Sequence, residues 1–483
     1  MSRPKSDGNV QTFGEQAIWP RPAPSRSRRP HRHPSVISPA AIEKIKEIVG
    51  ADHLHIGVDR SRYLLEGRTP DAVAFPGSVE EVCQLLALAS EEGVAVIPWG
   101  GGTKMSLGAP PKSFQLVIGT TRLNRLLEHE PGDLTATAQA GMTHEAFQAM
   151  LAPSRQWLSL DPPFASRATL GGIISTNSAG PKCHLYGSAR DLVIGVGVVT
   201  ADGALVRGGG KVVKNVAGYD LPKLYIGALG TLGIVVELTV KLRPLPEGDA
   251  LLVAQFQSIS AAAAAARALM DSDLIPNAIE LLDREAVGGM SRILSQRVEG
   301  YALLAGFDGL AEQVAWQLGE AEQTTAKHGA NASLRLAGAL KEKAWQFVRE
   351  LDPQSVPDSP VRCKIALLPT QVAAVFTEGE RIARRGRVQV VLVSHFGLGI
   401  VTALFALGGA GQSVDPLVDA LLGWREMVRG MGGQLAIEAA PQAVKEKVSV
   451  WDPPDASVRI MERIKAELDP KGILNPGRFV GDI

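Results

Sequence analysis

Cysteine is scarce in this chain of 483 residues: Cys83, Cys183 and Cys363 stand far apart, and no Cys-x-x-Cys pair occurs. That excludes a disulfide framework and an iron–sulfur cluster held by the chain itself, and it fits a reducing compartment. No apolar run approaches the length needed to span a bilayer, so no membrane helix is expected. Net charge is absent too, with 50 basic residues against 50 acidic, which gives nucleic acid no electrostatic footing. The arginines around Arg28 and Arg29 are followed by no apolar segment, which excludes a secretion signal. These absences together point to a cytoplasmic protein. Peripheral attachment at the inner face of the membrane, through a complex, stays open.

What the chain has is glycine, 51 residues of it, and enough apolar sequence for two or three cores. Residues 1–38 are rich in Pro, Arg and Ser, with seven Lys/Arg against two Asp/Glu as far as Val36. They read as a disordered basic tail, either a plain solvated extension or a docking arm. From Pro39 the pattern alternates: a helix over Ala40–Ile48, a strand over Ala72–Phe75, a helix over Val79–Glu92 and a buried strand over Ala95–Pro98. A second block, Asp161–Arg243, carries strands at Val193–Thr200 and Gly233–Leu242 and is closed by Pro244 and Pro246. Beyond it, strands recur near Leu251–Phe256, Asn277–Leu282, Tyr301–Phe307, Arg362–Leu368, Val388–His395, Ile400–Ala406 and Gln434–Glu438. With helices between several of them, they predict an antiparallel sheet covered by helices on one face. A last helix, Ala456–Leu468, leads into a tail that carries Asn475-Pro-Gly-Arg478.

Two glycine-rich blocks carry the chemistry. The buried strand runs straight into Gly100, Gly101 and Gly102, where the missing Cβ atoms let backbone approach a ligand and let consecutive N–H groups cradle a pyrophosphate. Thr103, Lys104 and Ser106 add two hydroxyls and a cation just after it. The loop is neither a Rossmann fingerprint nor a Walker loop, because both spacings are wrong. The second block, Ala168–Gly180, mixes small residues with the hydroxyls of Thr169, Ser175, Thr176 and Ser178. It suits a flat ring lying on backbone with donors at its edge.

In combination the segments Pro98-Trp-Gly-Gly-Gly-Thr103, Ala168-Thr-Leu-Gly-Gly172, Gly187-Ser-Ala-Arg-Asp191, Lys214-Asn-Val-Ala-Gly-Tyr-Asp220 and Gly230-Thr-Leu-Gly-Ile234 resemble the FAD-binding domain of the vanillyl-alcohol oxidase/p-cresol methylhydroxylase superfamily. With the closing Leu468–Arg478 segment, they are similar to glycolate oxidase subunits and D-lactate dehydrogenases. The resemblance implies an α+β protein: a two-subdomain FAD-binding domain over residues 39–246, an antiparallel-sheet cap over 247–454, and a C-terminal helix and tail over 455–483 returning to the first domain. It implies FAD contacts at Gly100, Gly101, Gly102, Thr103, Lys104, Ser106, Asp161, Thr169, Leu170, Gly171, Gly172, Ser175, Thr176, Asn177, Ser178, Arg190, Gly233, Ile234 and Asn475. Some relatives anchor FAD covalently through His or Cys in these segments. Lys104 and Met105 follow the glycines here, so noncovalent FAD is expected.

Self-sufficient 2-hydroxy-acid dehydrogenases of the family carry His-x-Gly-Asp-Gly-Asn-x-His and a later Glu-His-Gly, whose side chains hold a divalent metal. The matching stretch keeps His395, but Leu398, Ile400 and Thr402 replace Asp, Asn and the second His, and the later segment keeps only Glu438. Two ligands are too few for a typical protein-held metal site, so no metal is expected and His395 reads as a packed remnant. This degeneracy resembles the E-type subunit of glycolate oxidase. It implies a small 2-hydroxy acid as electron source, a metal-competent partner flavoprotein and an iron–sulfur subunit. A stand-alone D-lactate-type dehydrogenase and a structural FAD-binding subunit remain as rivals. Lys211 and Lys214 are candidates to face a carboxylate or the flavin, Lys211 equally a surface lysine, and Tyr219 is a substrate-side donor or equally a core tyrosine. Lys214 and Tyr219 are the catalytic candidates.

Overall fold

Ser78 starts the helix Val79–Glu92 by accepting a hydrogen bond from Glu81 N at 3.2 Å, and Gly93 stops it at φ 69°, where a side chain would be strained. Its apolar face, Val82, Leu85, Leu86 and Ala89, packs on a four-stranded sheet. The strand order is Leu54–His55, Ala72–Ala74, Leu116–Gly119, Val96–Trp99; the last three run parallel and the first is an antiparallel edge. The computed structural model that shows this describes residues 33–211, 219–351, 361–407 and 413–483. The expected basic tail therefore lies, apart from residues 33–38, outside the described residues.

A second, antiparallel sheet is ordered Leu126–Glu130, Thr135–Gln139, Ile234–Lys241, Val193–Val199, Leu205–Gly209. The helices His144–Leu151 and Leu170–Thr176 bury Phe147, Leu151, Ile173 and Ile174 in the core beside it. The cap is an eight-stranded antiparallel sheet, ordered Ala332–Leu336, Gly248–Phe256, Tyr301–Gly309, Ala278–Leu282, Val388–His395, Ile400–Leu407, Val361–Ala366, Gln434–Ala439.

Helices cover both faces of this cap sheet, not one. Ile259–Met270, Val372–Gly386 and Asp415–Gly430 pack on one side, and Arg284–Leu294 and Gly338–Glu350 on the other, where Met290, Trp345 and Phe347 are buried. The physical reason stands in the strands themselves. Leu251–Phe256 is buried at every position, and an unbroken buried run requires two covered faces. Truncating Trp345, 2% exposed, to Ala would cost about 3–5 kcal/mol.

The C-terminal tail returns to the first sheet. Asp469 accepts from the N–H groups of Ile473 (3.0 Å) and Leu474 (2.8 Å), and Leu474 pairs in parallel with Val96. Val96 N donates to Ile473 O at 2.7 Å and Asn475 N to Val96 O at 2.8 Å, so the tail lies along the strand that feeds the triple glycine. Among the described residues no helix is long and apolar enough to cross a membrane.

Candidate functional site

The strand Val96–Trp99 delivers the three glycines to the edge of the first sheet, but open space for a ligand is not the main reason they must be glycine. A Cβ on Gly101 would sit 1.7 Å from the Arg167 carbonyl oxygen, and one on Gly100 would sit 2.2 Å from Thr169 Oγ1. Gly102 holds φ +71° against the Trp99 ring. The glycines therefore let the two expected cofactor segments touch each other. The second segment is a helix, Leu170–Thr176; Thr169 Oγ1 caps it by accepting from Gly172 N at 3.3 Å.

Between the segments lies a cleft. Of the expected cofactor residues, Gly100, Gly101, Gly102, Thr103, Lys104, Thr169, Gly171, Gly172, Ser175, Thr176, Gly233, Ile234 and Asn475 line it. Six do not, and each has another duty. Leu170 is core, 2% exposed. Ser106 presents its carbonyl to Lys445 Nζ at 2.8 Å. The Asp161 carboxylate accepts from Lys182 N at 3.0 Å, and its burial pushes its pKa up. Arg190 is exposed and donates to the Lys223 carbonyl. Asn177 and Ser178 face a second cleft.

Sequence reasoning missed Arg478, although it quoted the segment that ends in it. Arg478 lines the first cleft and is 3% exposed; its Nη2 donates to the carbonyls of Met105 and Leu107, while Nε and Nη1 have no partner. Asn475 donates through Nδ2 to the Leu229 carbonyl and leaves Oδ1 buried and unpartnered. Burial, opposed by the Glu66 carboxylate, pulls the Arg478 pKa down to about 10, so its charge persists at neutral pH. Open donors on a buried guanidinium are costly until an anion completes them. This chemistry fits a dinucleotide pyrophosphate.

The second cleft adjoins the first: Lys104, Leu107 and Thr176 line both. Cap residues Arg349, Arg362, Lys364, His395, Ile400, Thr402 and Glu438 complete its wall. Lys104 Nζ donates to Glu438 Oε2 at 3.3 Å and Arg362 Nε stands 3.2 Å from the same oxygen. Burial would raise the Glu438 pKa, but Lys104, Arg362 and Lys364 outweigh it and hold the carboxyl down at about 2. Burial in turn lowers the pKa of Lys104.

His395 is not the packed remnant expected. Its Nδ1 lies 2.8 Å from both carboxylate oxygens of Glu280, a side chain with no exposure, while the ring lines the second cleft. Nε2 has no partner among the described residues and opens on that cleft. Ile400 and Thr402 line the same wall, and Leu398 lies 37% exposed beside it in sequence. Among the described residues no three His, Cys, Asp or Glu side chains converge as a metal site. Lys214 lies outside the described residues. Tyr219 is 93% exposed, which overturns its reading as a core tyrosine, and it lines neither cleft. Lys211 is a surface lysine paired with Glu128.

Residues 70–209 match the FAD binding domain family and residues 245–479 the C-terminal domain of FAD linked oxidases. The chain is 29% identical over 424 residues to glycolate oxidase subunit GlcD of Bacillus subtilis, covering 85% of this chain and 89% of that protein. It is 28% identical over 467 residues to D-2-hydroxyglutarate dehydrogenase of Stutzerimonas stutzeri, covering 91% and 99%. The fold of p-cresol methylhydroxylase superposes with a TM-score of 0.74 at 16% identity, covering 91% of this chain and 96% of that one. A two-sheet cofactor region, an eight-stranded cap and both family matches lead to one conclusion: the chain is an FAD-linked oxidoreductase, an FAD binding domain joined to the C-terminal domain of the FAD linked oxidases in the fold that p-cresol methylhydroxylase also shows.

Proposed function

We propose that the chain oxidises a small 2-hydroxy acid at its FAD, as the FAD-binding subunit of a glycolate-oxidase-type dehydrogenase complex. One observation carries the reading: the cleft beside the cofactor site presents four cationic side chains, Lys104, Arg349, Arg362 and Lys364, against the single carboxylate of Glu438. Lys364 has no ion-pair partner among the described residues; Arg362 is held by Glu438 at Nε and donates through Nη1 to the Glu350 carbonyl at 2.8 Å, which leaves Nη2 to reach a carboxylate. A unit charge about 4 Å from a carboxylate attracts it by roughly 4 kcal/mol at an effective dielectric near 20, before desolvation. The occupant of such a wall is an anion, and the shared residues Lys104, Leu107 and Thr176 bring it next to the cofactor.

Bound FAD supplies the two-electron acceptor for the hydride that leaves C2 of the acid. The chain's own side chains do the rest: Arg362 and Lys364 hold the carboxylate, and the cap strand Val361–Ala366 that carries both shields C2 from water. Among the described residues no His or Cys lines the first cleft, which supports noncovalent FAD. The E-type subunit reading rests on the replaced ligands Leu398, Ile400 and Thr402 and on three dispersed cysteines, so a metal-competent flavoprotein and an iron–sulfur partner act in trans. A cytoplasmic setting goes with it.

The test is titration of the FAD-loaded chain with oxalate, an unreactive two-carboxylate mimic, followed by flavin absorbance. A saturable spectral shift is expected, weakened at least tenfold in Arg362→Gln and in Lys364→Gln. No shift, or variants that bind as the parent does, would reject this cleft as the substrate site.

A further inference from the structure

Losing the metal ligands removes the group that would acidify the substrate hydroxyl, and that proton must still go somewhere. Four cations and Glu438 line the second cleft, and Glu438 is committed to Lys104 and Arg362, so neither it nor Lys104 is a ready acceptor. One side chain on the wall remains. His395 projects from the end of the strand Val388–His395, its Nδ1 fixed by Glu280 on the neighbouring strand Ala278–Leu282 at 2.8 Å, its Nε2 open to the cleft. A buried carboxylate on one ring nitrogen sets the tautomer and stabilises the imidazolium that forms when the other nitrogen takes a proton.

We infer that His395 Nε2 is the acceptor of the substrate's hydroxyl proton, with Glu280 as its positioning residue. The role rests on the 2-hydroxy-acid reading above and completes it. The hydroxyl O–H bond breaks and its proton passes to Nε2; the C2–H bond breaks with its electron pair and hydrogen going to the flavin acceptor, and a C2=O bond forms. The acid becomes a 2-oxo acid as the flavin gains two electrons, so atoms and electrons balance without a metal. The groups facing the pair are Glu280 and Asp161, which favour the proton on His395, and Lys364, which opposes it; Cys183 lies beside Glu280. Burial works against both charged forms and pushes Glu280 up to about 7, yet the pairing with Glu280 outweighs burial at the ring and raises the His395 pKa. The accepting form is therefore lost as pH falls, and turnover declines on the acid side.

The test uses the FAD-loaded full chain, with chelator present, mixed anaerobically with glycolate, D-lactate and D-2-hydroxyglutarate. Bleaching of the flavin by at least one acid is expected. In His395→Asn it should slow about 10²–10⁴-fold, the usual range for a lost general base, while FAD content and oxalate binding at pH 8 stay within about threefold of the parent. Glu280→Gln should slow reduction and shift the acid limb to lower pH, which a merely structural carboxylate would not do. A second readout needs no turnover: oxalate should bind the parent more tightly as pH falls through the limb, and His395→Asn should lose that dependence. A His395→Asn chain that keeps the parent's rate and pH profile overturns the role. A chain that binds oxalate but is reduced by none of the acids also overturns it and leaves the cleft standing. Failure to bind oxalate at all removes the substrate cleft, and the proton role falls with it.

Discussion

Lys104, on the loop after the triple glycine, donates to Glu438 on the cap strand Gln434–Ala439 at 3.3 Å, joining residues 334 positions apart across the seam between the two clefts. Arg362 shares the carboxylate, and neither Lys104 nor Glu438 is more than 21% exposed. Glu438→Ala would leave two buried cations facing each other, and the expected loss is about 2–4 kcal/mol. Because the Glu438 pKa is held at about 2 against an ordinary 4.5, its contribution is complete above pH 4.5 and is lost as pH falls toward 2. Urea melts of parent and variant should therefore differ most near neutrality and converge in acid. A gap that stays constant down to pH 2.5 would show that the loss comes from packing.

Arg478 holds the glycine-loop side of the cofactor cleft together from the tail. Its carbonyl accepts from Trp451 Nε1 at 3.1 Å and its Nη2 reaches two loop carbonyls, so the orientation of the free Nε and Nη1 is set before any cofactor arrives. Hydrogen bonds to a charged partner contribute about 1.5–3 kcal/mol each, so Arg478→Met should weaken FAD binding by at least tenfold. Arg478→Lys should rescue little of it, because an ammonium cannot serve both carbonyls and an anion in the same plane. Equilibrium titration of the FAD-stripped protein measures both; wild-type affinity in either variant would place the pyrophosphate elsewhere.

Gly101→Val should abolish FAD binding, and for a reason inside the protein. The added Cβ meets the Arg167 carbonyl at 1.7 Å, so the loop must move whether or not cofactor is present. The expected signature is a lower Tm for the FAD-stripped variant as well as for the loaded one. An unchanged Tm of the stripped protein with binding lost would return the clash to the ligand.

The first cleft was legible in sequence because it is built from contiguous motifs: strand, glycines and hydroxyl-rich segment each bring their own backbone. The helix Val79–Glu92 and the strand Val388–His395 appear with the bounds their periodicity predicts. Leu126–Glu130 and Thr135–Gln139 escaped, since Leu-Leu-Glu-His-Glu and Thr-Ala-Thr-Ala-Gln become strands only through their pairing partners. The second cleft was hidden for a related reason. Its cations come from separated segments, and the partner that turns His395 from a leftover into a positioned imidazole lies 115 residues away with no motif around it. Tyr219 was misread the other way, because a tyrosine inside a glycine-rich motif carries no mark of facing solvent.

The last prediction concerns metals. Where the resemblance would place metal ligands, the wall presents Ile400 and Thr402 beside Lys104, Arg362 and Lys364. A divalent ion entering this cleft would meet repulsion from those cations and find only Glu438, already held by two of them, and the single open nitrogen of His395. Thr402→His alone would add a ligand without removing the cations, so it should not create a working site. Flavin reduction by the acids should therefore be unaffected by chelator and should not rise on adding Mn²⁺ or Zn²⁺. Zn²⁺ at high concentration should instead inhibit, by occupying His395 Nε2, and the inhibition should disappear in His395→Asn. Stopped-flow traces at matched ionic strength decide the matter. A several-fold acceleration by Mn²⁺ that a chelator reverses would mean that ligands outside the described residues complete a metal site.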